Sequence, residues 1–117
     1  VCISSIAGIE ITDAPIPYSI AKSALNAYIK NNVKPFAKLG IRINGVAPGN
    51  ILFKGSIWER KILKNKKRVY DMIASKVAMN RFGIPIEIAN AVVFLSSSVS
   101  SFTTGNILVI DGGQVKS

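Results

Sequence analysis

The chain has 117 residues, 49% of them hydrophobic, and 15 Lys and Arg against 6 Asp and Glu give it a formal charge of +9 at pH 7. That length suits one small domain, and the apolar excess is what half of a larger α/β core buried on both sheet faces would need. A lone cysteine excludes a disulfide framework, the absence of His argues against a transition-metal site, and no apolar run approaches the roughly 18 residues of a membrane span. The sequence shows no signal-peptide pattern, so a reducing, cytoplasmic setting is expected.

Taken in chain order, Val1 to Ser5 reads as a short strand in which Cys2 is a small buried hydrophobe. A helix is expected from about Pro17 to Leu39, bent or broken near Pro35 and closed by Gly40. Ile20, Ala24, Ala27, Tyr28 and Phe36 are its expected buried face. Tyr18 and Lys22 stand at i and i+4, about a turn apart on one face. A free phenol titrates near pH 10 and is a poor proton donor or acceptor at neutral pH, whereas a cation beside it stabilises the phenolate. The pair therefore suits acid/base work.

Ile41 to Val46 and Asn106 to Ile110 are Ile- and Val-rich runs bounded by Gly or Pro, and both read as strands. Residues 50–80 form a long excursion, helical in part, followed by a helix from about Pro85 to Ser97 with Ile88, Ala91, Val92 and Leu95 at helical spacing. Strand–helix order of this kind predicts a parallel sheet with right-handed crossovers. Asp111 before Gly112-Gly113 reads as a turn former, and Ser4 and Ser23 read as structural. Within 54–76, eight cations face Glu59 and Asp71, leaving a local charge of +6. A solvated helix face explains this best, and an anion-binding surface is the alternative. With only Trp58 and Tyr70 nearby, nucleic-acid binding is not expected.

Five segments in this order resemble the short-chain dehydrogenase/reductase family. They are Ser4-Ser5 with Ile6-Ala7-Gly8, Tyr18-Ser-Ile-Ala-Lys22, Gly40 through Pro48-Gly49, Arg81-Phe-Gly-Ile-Pro85 through Ser96, and Thr104-Gly105 through Asp111-Gly-Gly113. The glycine-rich turn after the family's first strand and its fourth-strand Asn-Asn-Ala-Gly segment have no counterpart. The chain also opens mid-strand without Met. The expectation is one domain over 1–117, the C-terminal half of a doubly wound, Rossmann-type parallel sheet.

The resemblance implies an oxidoreductase that interconverts a ketone and a secondary alcohol by hydride transfer with NAD or NADP, similar to 3-oxoacyl-carrier-protein reductases. Ser5, Tyr18 and Lys22 take the catalytic positions. Tyr18, Lys22, Pro48, Gly49, Asn50 and Ile51 would hold the cofactor, and Ser5, Leu52, Phe53 and Trp58 the substrate. Phe53 stands where members often have a threonine that contacts the nicotinamide carboxamide, and phenylalanine cannot make that bond. The resemblance further implies a homodimer or homotetramer acting on a small carbonyl or alcohol compound. Two other readings stay open: an inactive remnant or oligomerisation partner of the same fold, and an anion-binding module using 54–76. NAD against NADP preference is not encoded in these residues.

Overall fold

The computed structural model describes residues 1–115. Three parallel strands lie in the order β1 (Cys2–Ile3), β2 (Gly45–Pro48) and β3 (Ile107–Ile110). Helices α1 (Ile16–Asn31) and α2 (Val33–Ala37) join β1 to β2. Helices α3 (Ile57–Lys64), α4 (Lys66–Lys76) and α5 (Pro85–Ser96) join β2 to β3. The expected parallel βαβαβ arrangement is therefore what forms.

Several boundaries differ from the sequence reading, each for a local reason. Ile41 to Val46 is not one strand: only Gly45 onward pairs, because Ile43 bonds instead to the 103–105 loop, receiving Gly105 N–H and donating to Thr104 Oγ1 at 3.1 Å. The helix expected over 17–39 divides at Asn32, three residues before Pro35. A proline ring clashes with the carbonyl four residues earlier, here Asn31, so the break falls upstream of the proline. Asn32 Nδ2 donates to Tyr28 O at 2.8 Å and helps close the first helix.

The expected buried face of α1 is also corrected. Ile20 is 63% exposed and Tyr28 50%, and Ala24 and Ala27 are exposed too. The inward stripe is Lys22, Asn26 and Ile29, at i, i+4 and i+7. Two cores form. Val46, Ala91 and Leu95, with Ile88, Val92, Leu108 and Ile110, join the sheet to α5. Val69, Ile73, Val77 and Phe82, with Leu52, Trp58, Ile62 and Met72, hold α3 and α4 together. Residues 50–80 are thus a helical subassembly with a core of its own. Among the described residues no helix is long and apolar enough to cross a membrane.

Candidate active site

Ser5 follows β1 and caps a single 3-10 turn, Ile6–Gly8, by accepting the Ala7 N–H at 3.2 Å. That contact occupies a lone pair of Oγ and leaves its O–H available as a donor. Helix α1 lies against this turn. A Cβ on Gly8 would fall 2.7 Å from the Lys22 carbonyl carbon, so glycine alone permits the approach.

Asn26, buried one turn beyond Lys22, locks the junction. It accepts from Ser4 Oγ at 2.5 Å and donates through Nδ2 to Gly8 O at 3.0 Å. Ser23 Oγ donates to the same carbonyl at 3.2 Å. Ser4 and Ser23 are structural, as read. The sequence reading passed over Asn26 and the spatial role of Gly8. An amide one turn beyond Lys22, on the Tyr18–Lys22 face, was the available signal.

Lys22 Nζ donates to Ile3 O at 2.8 Å and stands 5.6 Å from the centroid of the Tyr18 ring. Its ammonium is thereby fixed between the strand and the phenol. Ser5, Tyr18 and Lys22 all line one open cavity of about 420 Å³. Pro48, Gly49, Ile51 and Phe53 also line it, and Ile57, Trp58 and Ile88 supply apolar lining. The volume falls in the range of small-molecule sites, apolar with a few convergent polar groups.

Most of the residues singled out from sequence meet here, and two do not line this cavity. Leu52 packs into the Val69–Phe82 core while its N–H bonds Gly83 O, because the chain from 50 to 52 runs beside Gly83. Asn50 lines a smaller cavity of about 130 Å³ with Arg81 and Glu87. A Cβ on Gly49 would meet Asp111 Cβ at 2.7 Å, so glycine lets the turn after β2 pass close to the turn after β3. Ser56, which lines the cavity and caps α3 by accepting the Glu59 N–H at 3.1 Å, was not anticipated. The Ser56-x-x-Glu59 spacing is a capping signature and was its signal.

The smaller cavity carries an ion pair in its lining. Arg81 and Glu87 pair through two contacts, at 2.6 and 3.1 Å. With the Ile84 N–H also bonded to it, the Glu87 carboxyl is held down to about 2. At the surface, Lys76 pairs with Asp13 and lowers its carboxyl below the usual range. Asp111 accepts from Gly113 and Val115 N–H groups at 2.9 and 2.7 Å, the turn role expected of it. Among the described residues no cluster of His, Cys, Asp or Glu is suited to a metal ion.

The protein family described as enoyl-(acyl carrier protein) reductase matches residues 1–114. A 3-oxoacyl-(acyl-carrier-protein) reductase of Thermotoga maritima is 36% identical over 113 residues, 97% of this chain and 44% of that protein. A tropinone reductase homologue of Arabidopsis thaliana is 36% identical over 114 residues, 97% of this chain and 42% of that protein. Among solved structures, 4-hydroxyisoleucine dehydrogenase complexed with NADH superposes with a TM-score of 0.87 at 30% identity, covering 98% of this chain and 46% of that one. The chain thus spans under half the length of the relatives it matches.

Proposed function

The chain belongs to the short-chain dehydrogenase/reductase family of oxidoreductases, and from that premise we propose that the protein interconverts a ketone and a secondary alcohol with NAD or NADP, with Tyr18 as acid/base. The observation that carries this reading is the convergence of Ser5, Tyr18 and Lys22 on one cavity of about 420 Å³.

A bound nicotinamide cofactor supplies or accepts the hydride. The residues present suit its nicotinamide–ribose end: Lys22 has donors left beyond the one given to Ile3 O, and Pro48, Gly49 and Ile51 line the same cavity. The sequence holds no glycine-rich turn for the phosphates. Ser5 donates its O–H to the substrate oxygen and fixes that atom within reach of Tyr18. Tyr18 gives its phenolic proton to the oxygen in reduction and takes one back in oxidation. Lys22 sets its positive charge 5.6 Å from the centroid of the Tyr18 ring. Phe53, Ile57 and Trp58 pack against the rest of the substrate and exclude water from it.

Self-association as a dimer or tetramer is part of the proposal, supported by the outward Ile20, Ala24, Ala27 and Tyr28 of α1, which are exposed among the described residues. The functional test is oxidation of NADH and of NADPH in the presence of a panel of aliphatic and cyclic ketones. Ketone-dependent oxidation of either nucleotide is expected. A protein that binds nucleotide but oxidises it with no ketone, and reduces it with no secondary alcohol, would support the inactive-remnant reading instead.

A further inference from the structure

The apolar wall of the cavity does not end in solvent alone. Ile57 and Trp58 line it, and one turn farther along α3 the Lys61 ammonium stands 4.5 Å from the centroid of the Trp58 ring. Ile57, Lys61 and Lys64 share a face of the helix, so the surface that begins as cavity wall continues as a cationic rim.

Trp58 itself is anchored, with its ring 5.5 Å from that of Phe82 in the α3–α4 core. A lysine held over an indole keeps its charge at a defined place and its stem desolvated, at less cost in rotamer freedom than a free surface lysine. The nearby carboxylates are engaged elsewhere. Asp13 pairs with Lys76 and feels Lys61 only as its weakest influence, Asp71 pairs with Lys67, and Glu59 accepts the Gly55 N–H. Lys61 belongs to none of the ion pairs among the described residues.

We propose that the cavity takes a carbonyl or alcohol compound whose apolar body ends in an oxyanion group, a carboxylate or phosphate, and that Lys61 is the residue that binds this group. The proposal deepens the function given above and rests on it for the reacting end of the substrate. Ser5 and Tyr18 receive the carbonyl, the Ile57–Trp58 wall receives the apolar body, and the anion reaches Lys61 at the rim. No covalent step is added.

Trp58 is the chain's one tryptophan and reports directly on this site. Its fluorescence is titrated with octanoate, octyl phosphate and octanol, with Trp58→Phe as the blank. An ionic hydrogen bond at a partly exposed site predicts at least about tenfold tighter binding of the anions than of octanol. Lys61→Met brings that ratio near one, and Lys61→Arg retains it. A separate arm compares kcat/KM for a medium-chain methyl ketone and its ω-carboxylate counterpart, with the anion gaining mainly through KM.

Octanol binding as tightly as octanoate, or a preference that survives Lys61→Met, overturns the proposal. So does a response to polyaspartate or heparin with none to the small anions, which would assign the rim to an acidic macromolecule. Turnover of both ketones with equal kcat/KM sinks this inference and leaves the dehydrogenase reading standing. Anion-selective binding without any turnover does the reverse.

Discussion

A side chain at Gly8 would strike the Lys22 backbone, and Asn26 bonds across the same junction. Deleting the Asn26 amide strips partners from Ser4 Oγ and the Gly8 carbonyl in a buried junction. Asn26→Leu should cost about 1–3 kcal/mol in denaturant unfolding. It should also lower kcat more than it raises KM, because Ser5 and Tyr18 lose their register while the apolar wall stays intact. A variant that loses stability but keeps kcat would separate the junction from the chemistry. Tyr18 and Lys22 are expected to act as one unit. If so, Tyr18→Phe/Lys22→Met should be scarcely slower than Tyr18→Phe alone, whereas independent roles would multiply the two losses.

At the scale of elements, Arg42 carries a role that its place in an Ile-rich run conceals. Its guanidinium donates to Leu95 O, Ser97 O and Thr103 O at 2.8, 3.0 and 3.1 Å and also to Ser100 Oγ, satisfying carbonyls at the C-terminus of α5 and in the following loop. A cation is favoured at that end of a helix. Arg42→Met should lower stability by about 2–3 kcal/mol, measured as a shift of the urea midpoint. Arg42 and Asn44 also explain why 41–44 misleads as a strand, since their side chains reach the 95–106 segment and the backbone follows. The run 107–110 was legible because nothing competes with its ladder. The break at Asn32 lies upstream of Pro35 because a proline acts on the preceding turn. On α1 Ile20, Ala24, Ala27 and Tyr28 point outward while Ile29 points in, so a face read from hydrophobicity alone came out misplaced.

The Arg81–Glu87 pair sets an acid limit at the entry to α5. The Glu87 carboxyl, at about 2 in the folded chain against an ordinary 4.5, is charged where the unfolded chain would already be protonated. Its contribution is complete above about pH 4.5 and disappears as pH falls to about 2. Denaturation followed at pH 6, 4 and 3 should show a decline that is shallower in Glu87→Gln. Equal slopes in the two proteins would remove Glu87 from the acid response.

For the molecule as a whole, the sheet core and the α3–α4 core are separate, and the cavity lies between the turn after β2 and the second of them. That division makes the 50–80 subassembly the element expected to move over substrate. Amide exchange there should be faster than in β2 and should slow with cofactor and substrate present, whereas exchange that ligands leave unchanged would indicate a rigid insert. Tyr18 and Lys22 were legible in the sequence because their pairing depends on a helical repeat, and Ser5 was legible only through the family resemblance of its strand end. The clamp by Asn26, the steric role of Gly49 against Asp111 and the cation on Trp58 depend on which surfaces meet, and no local pattern specifies that.

The central claim is that the Tyr18 hydroxyl moves the proton. Tyr18→Phe keeps the ring and removes that hydroxyl. Steady-state kcat, measured beside the unfolding midpoint of the same preparation, should fall by roughly 10²–10⁴-fold while the midpoint stays close to that of the parent. A kcat within threefold of the parent, in a folded variant, would contradict the account.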